Sequence, residues 1–133
     1  MNEYFFAQKI IGAICHGVVL AVRSKTKDSQ SVLHGKKSTA FLTTQEISGW
    51  ALNFLWLGNY VRTYPQTVEK EVRAVLRDKK DFLSGPISLR RDKPMNLKNG
   101  FIVHDENYFS ARWPGDAHLF RTEYLASLLA KNK

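Results

Sequence analysis

The sequence predicts an α/β domain, and three stretches carry that prediction. Lys9 to Ile14 is a short, partly β-branched apolar run that meets a helix-forming stretch, Val18 to Arg23, across Cys15-His16-Gly17. Ser38 to Leu42 reads as a second strand, followed by a helical stripe of Trp50, Phe54, Leu55 and Leu57 that ends near Gly58. Gly100 to His104 and Tyr108 to Arg112 read as a hairpin around Asp105-Glu106-Asn107, with a last helix from about Ala117 to Lys131. Strands alternating with helices are the pattern of an α/β architecture.

Between these stretches the chain is punctuated by turn chemistry. Ser24 to Gln30 is a polar loop, and His34-Gly35-Lys36-Lys37 is a turn signal before the second strand. Thr43 and Thr44 can cap a helix that begins near Gln45-Glu46. Thr67 to Leu76 places Val68, Val72, Val75 and Leu76 on one helical face, with Glu69, Glu71 and Arg73 expected outside. Pro86 and Pro94 break the basic stretch from Asp78 to Lys98, which reads as irregular. Trp113-Pro114-Gly115-Asp116 is a turn, with Asp116 placed to cap the last helix. On that helix Leu119, Phe120, Tyr124, Leu125, Leu128 and Leu129 are expected to face inward.

Composition narrows the class. The 133 residues suit one domain, and a 44% hydrophobic share with 12% aromatics is enough for a core. One cysteine excludes an internal disulfide framework, and without a CxxC pair it disfavours a zinc finger. The run Ile10 to Val22 is interrupted by Cys15, His16 and Gly17, too short and polar for a span of ~20 apolar residues. Glu3 precedes the first lysine, unlike the basic start of a secretory signal. These features predict a soluble chain in a reducing, cytoplasmic setting, with no cofactor and no metal site.

The net charge of +8 raises nucleic-acid binding, because clustered Lys and Arg displace counterions from phosphates. Here the basic pairs Lys25/Lys27, Lys36/Lys37, Lys79/Lys80 and Arg90/Arg91 are scattered, many beside Asp28, Asp78, Asp81 and Asp92. That is the pattern of a solvated surface, and nucleic acid is disfavoured as a partner.

Cys15 is the sharpest chemical feature. A thiol at a strand-to-helix elbow is lifted clear of the backbone, where free helical N–H groups favour a thiolate and form an oxyanion site. Ala13 and Gly17 supply the small neighbours such an elbow requires. The competing reading is a small buried hydrophobe after an apolar strand. His16 competes between a catalytic role and a hydrogen bond elsewhere, and Glu46 between orienting a base and stabilising the first turn of a helix. His118 reads as a first-turn helix residue, His34 and His104 as surface, and Trp50, Phe54 and Trp56 as core or interface.

Ala13-Ile14-Cys15-His16-Gly17, after a buried strand and before a helix, resembles the nucleophile elbow of the ThiJ/PfpI family. That family belongs to the class I glutamine amidotransferase-like superfamily. Leu33 to Phe41 looks like its next strand, with Glu46 near a position that is often acidic. Gly100 to Val103 and Tyr108 to Ala117 resemble its closing hairpin and the start of its terminal helix. The resemblance implies a partial doubly wound, flavodoxin-like parallel sheet with flanking helices and a C-terminal β-hairpin, in a single domain over residues 1–133 that lacks N-terminal βα units. One such unit normally supplies a glutamate to the cysteine, and Glu3 cannot be carried over as that residue.

What the resemblance implies for the site is Cys15 as nucleophile, His16 as base or proton donor, Glu46 as orienter and Gly17 as the elbow glycine. It implies hydrolase, amidase, glyoxalase or deglycase-like chemistry on a small-molecule or peptide substrate, with homodimerisation common. The alternative is a catalytically inactive remnant or an interaction or stress-response module of the same fold.

Overall fold

The computed structural model describes residues 1–57, 65–87 and 90–131, with the side chains of 53–57 left out. The elements are α1 (Asn2–Phe6), β1 (Ile11–Ile14), α2 (Val18–Arg23), α3 (Thr43–Leu57), α4 (Val68–Val75), β2 (Ile102–Asp105), β3 (Tyr108–Ala111) and α5 (Ala117–Lys131). Gly58 and the side chains of Phe54, Leu55, Trp56 and Leu57 lie outside the described residues, and Trp50 is half-buried.

The described strands form one three-stranded sheet in the order β1-β3-β2. β1 runs parallel to β3, with Ile11 opposite Tyr108 and Ile14 opposite Ala111. β2 and β3 are the antiparallel hairpin, with Ile102 opposite Ala111 and Asp105 opposite Tyr108. The hairpin loop is therefore shorter than its sequence suggests. Asp105 belongs to the ladder, and Glu106, at φ 55, turns the chain with Asn107.

Side-chain alternation sends Ile11, Ala13, Tyr108 and Ser110 to one face of the sheet and Gly12, Ile14, Phe109 and Ala111 to the other. The first face packs on Val18, Val19 and Val22 of α2, Val68 and Val72 of α4, and Leu33, Ala40 and Phe82 from the loops. α5 covers the second face. A Cβ on Gly12 would stand 2.6 Å from the Phe120 ring and 3.0 Å from Tyr124, so the glycine lets the helix approach β1. Tyr124 also meets Phe109 edge-on, with centroids 5.6 Å apart.

Four sequence expectations are corrected by these contacts. Ser38 to Leu42 is not a strand of the sheet: its backbone makes a single parallel bridge from Ser38 to Phe82. The Thr39 N–H instead donates to the Ser110 hydroxyl, so the segment crosses the sheet face. Asp116 does not cap α5. It is fully buried in an ion pair with Arg112, and Asp92 receives the Leu119 N–H at that helix start. Glu71 is not outside: it is 9% exposed and holds Arg23 through two hydrogen bonds. Leu125 and Leu129 do not face inward, being 45% and 59% exposed, whereas Phe120 and Tyr124 do meet the sheet.

Tyr108 gives the core a pH signature. Burial pushes its phenol up to about 12 from the ordinary 10.0, with the Ser38 and Ser110 hydroxyls pulling the other way. A raised folded value means that the stability is present below the unfolded value and lost as pH rises through the folded one. Between pH 10.0 and about 12 the fold is expected to lose about 2–3 kcal/mol. Urea titrations across that range should show the loss, and Tyr108→Phe should flatten it.

Candidate functional site

β1 ends at Ile14, and the chain turns at once into a single 3₁₀ turn, Cys15–Gly17, that runs on into α2. Cys15 holds φ at 57°, a conformation that non-glycine residues seldom adopt. The flanking residues do not share it: Ile14 is extended, and Gly17 and Val18 are right-handed helical. This is the geometry of a strained strand-to-helix elbow, and it presents the thiol at the carboxyl end of the parallel strands. A Cβ on Gly17 would meet nothing within 4 Å, so space at the elbow does not require that glycine. Ala13, by contrast, is buried beneath the turn.

The Cys15 sulfur lies 3.3 Å from Nδ1 of His16, so the adjacent side chains do meet. The His16 ring leans on Phe41, centroids 5.4 Å apart at 41°. Burial pushes the Cys15 thiol up from its ordinary range. The His16 backbone N–H pulls it down, and the negative charge of Glu46 adds to the rise. The net direction is upward, opposite to the lowered thiol expected from the elbow alone. Six residues of α2 supply too few aligned dipoles to offset desolvation and a nearby carboxylate.

Glu46 stands in the first turn of α3 and reaches across to α4, where its Oε2 accepts the Val68 N–H at 3.1 Å. Glu69 returns the contact by accepting the Thr43 N–H at 2.8 Å, and the Thr43 and Thr67 hydroxyls are 2.9 Å apart. Two helix N-termini, each with unsatisfied N–H groups, are thus held together by each other's carboxylate. Glu46 serves that clamp while its charge reaches Cys15. Replacing it with glutamine keeps an oxygen for Val68 but removes the charge that raises the thiol. In Glu46→Gln, the midpoint of Cys15 alkylation against pH is therefore expected to move down. A midpoint unchanged or raised would show that the carboxylate does not act on the sulfur.

Arg112 is the residue that sequence reasoning passed over. It follows Ala111, the register partner of Ile14, so it leaves β3 level with Cys15 leaving β1. Its side chain is fully buried; Nε and Nη2 donate to the two Asp116 oxygens at 3.0 and 2.8 Å, and Nη1 donates to the Pro86 carbonyl. Asp116 also accepts the Phe101 and Arg112 N–H groups. The available signal was an Arg and an Asp four apart around Trp-Pro-Gly, a spacing that brings side chains together in a helical turn. A cavity of about 470 Å³ opens beside this network, lined by Phe41, Leu42, Gln45, Ile87, Arg112 and Trp113. Its wall residue Phe41 is the one that carries the His16 ring.

The remaining histidines lie where the sequence put them, His118 in the first turn of α5 and His34 and His104 exposed. Among the described residues no group of three or more His, Cys, Asp or Glu could hold a metal ion. No described helix is long and apolar enough to cross a membrane.

The fold is that of a partial flavodoxin-like α/β domain, and comparison with solved structures bears this out. The chain is similar to the crystallographic structure of APC35852, with a TM-score of 0.72 and 22% identity over 97% of this chain and 48% of that one. It is similar to the rapid encystment protein of 24 kDa from Francisella tularensis, at 0.66 and 20%, over 96% of this chain and 47% of that one. Glyoxalase III from Candida albicans matches at 0.57 and 20%, over 88% and 42%. The chain spans about half the length of the solved structures it matches. No family model and no curated protein matches the sequence.

Proposed function

We propose that this chain carries the nucleophile of a ThiJ/PfpI-like cysteine enzyme acting on a carbonyl, in glyoxalase or deglycase-like or hydrolase or amidase chemistry. The observation that supports it most is Cys15 at φ 57°, with its sulfur 3.3 Å from His16 Nδ1. The raised thiol gives this pair a specific division of labour. Cys15 is neutral at rest, so His16 takes the thiol proton on Nδ1 as the sulfur attacks the carbonyl carbon. The carbonyl π electrons move to oxygen, and stabilising that oxyanion falls to backbone N–H groups of the Cys15–Gly17 turn. Glu46, whose charge reaches Cys15, would balance the positive charge that then develops on His16. The likeness to glyoxalase III from Candida albicans makes a 2-oxoaldehyde the first substrate to test.

The proposal carries a reducing, cytoplasmic setting, where a lone thiol stays free, a small carbonyl or peptide substrate, and self-association as a homodimer. Its test is consumption of methylglyoxal by the chain, followed with an iodoacetamide pH series on Cys15. Turnover together with alkylation that depends on His16 supports the reading. If Cys15 alkylates as an ordinary thiol, indifferent to His16→Ala, and no carbonyl is consumed, the second reading stands. That reading is an inactive interaction module of the same fold, favoured by the upward shift of the thiol.

A further inference from the structure

The cavity of about 470 Å³ lies at the carboxyl end of β3, where Arg112 leaves the strand level with Cys15 leaving β1. Phe41 is its wall toward the elbow, and the same ring carries the His16 imidazole, centroids 5.4 Å apart. The cavity therefore begins one aromatic ring away from the group proposed to take the thiol proton. Its volume falls within the roughly 300–1,000 Å³ of pockets that enclose a whole organic ligand. A three-carbon aldehyde would leave most of it empty.

The chemistry of the lining restricts what can enter. Phe41, Leu42, Ile87 and Trp113 make it predominantly apolar. Trp113 packs on Gly115, where a Cβ would stand 2.2 Å from the indole, so only glycine admits the ring there. Polar groups on the α3 side are already engaged. Gln45 Oε1 accepts the Leu42 N–H at 3.4 Å, and the Ser48 hydroxyl donates to the Thr44 carbonyl at 2.7 Å. Among the described residues Arg112 is the one charged group in the lining. Its guanidinium is wholly buried and committed to Asp116 and to the Pro86 and Asn99 carbonyls. A charged substituent entering here would shed its water and find no free counter-charge. An apolar one would lose no hydrogen bonds and would remove the lining from water.

The walls are also held in place without a ligand. Glu46 on the Val68 N–H and Glu69 on the Thr43 N–H fix the first turn of α3, and Arg112 Nη1 holds Pro86 beside Ile87. Ile87 lines the cavity while 95% exposed, so it stands at the mouth, where a ligand would cover it. We infer that this cavity receives the substituent on the carbonyl carbon, and that the substituent is a large uncharged apolar group, aromatic or branched alkyl. The inference rests on the proposed attack of Cys15 on a carbonyl and adds the class of substrate to it. Methylglyoxal is then a minimal substrate, whose methyl group leaves the cavity unfilled.

The test compares phenylglyoxal with methylglyoxal on the intact chain. Counting repeated turnovers above a Cys15→Ser blank removes the reaction of either aldehyde with surface arginines. Phenylglyoxal is expected to exceed methylglyoxal in kcat/KM by at least about tenfold, the scale on which hydrophobic pockets separate substrates. 4-Carboxyphenylglyoxal carries the same ring with a charge at its far end, and is expected to fall at least about tenfold below phenylglyoxal. Ser48→Trp, at an exposed position of α3, places an indole in the cavity. It is expected to cost phenylglyoxal about tenfold or more and to leave methylglyoxal within about twofold. Thr44→Phe blocks the cavity from one turn earlier, and decides the matter if Ser48→Trp does not keep the urea midpoint. The inference alone is overturned if the two aldehydes turn over equally, if the carboxylate is no poorer, or if blocking slows both aldehydes alike. Turnover of neither aldehyde overturns the attack on which the inference rests, and the inference with it.

Discussion

Cys15→Ser is expected to lower carbonyl turnover by about 10³-fold or more while leaving the fold unchanged. The hydroxyl is nearly the size of the thiol, so the turn at φ 57° and the contact with His16 Nδ1 are both kept. What changes is the acidity and softness of the nucleophile. His16 can take a proton from a thiol during attack, but a serine hydroxyl holds its proton far more tightly and needs a stronger base. Steady-state kinetics on methylglyoxal, paired with urea denaturation, separate the effects. A large fall in kcat at unchanged midpoint marks chemistry at the sulfur. Equal activity in the serine variant would leave Cys15 as a packing residue. His16→Ala should give a smaller fall, about 10²-fold, because water can replace part of a general base.

Arg112→Met is expected to cost about 3–5 kcal/mol, a large share of the ~5–15 kcal/mol that holds a domain of this size. The guanidinium is fully buried and spends its donors on Asp116, Pro86 and Asn99. Methionine fills a similar volume, yet it strands the Asp116 carboxylate without its counter-charge and leaves two loop carbonyls without donors. Arg112→Lys is expected to recover little, since an ammonium cannot place the two parallel bonds that Nε and Nη2 make to the carboxylate. The measurement is the urea midpoint at constant slope, with hydrogen exchange at the Phe101 N–H that Asp116 holds. A cost below about 1 kcal/mol would mean that the pair is no stronger than a surface ion pair. Because Arg112 also lines the cavity beside His16 and Phe41, a loosened loop should reduce turnover as well.

Much of the fold was legible because its signals are local. The limits of α5 and α4 follow from apolar spacing and turn residues, and the structure places them at Ala117–Lys131 and Val68–Val75. The elbow was legible for the same reason: a β-branched run, a small-residue turn and a buried helix adjoin within Ile11 to Arg23. Ser38 to Leu42 was not legible. Its apolar content suits a strand, but strand character needs a neighbour's ladder, and here Ser110 offers a hydroxyl in its place. Leu125 and Leu129 match a core-facing stripe in sequence, yet whether a stripe is covered depends on what packs against it.

The sequence by itself determined where the elbow falls, which residue types stand at it, and that strands alternate with helices. These depend on propensity and periodicity within a few residues of one another. Only the tertiary structure decided the electrostatics and the partners. It brought Glu46 within reach of Cys15 and made the thiol harder to ionise, paired Arg112 with Asp116 in the interior, and, among the described residues, paired β1 with β3 alone. Desolvation, charge proximity and strand pairing each arise between residues far apart in the chain, where no local pattern records them.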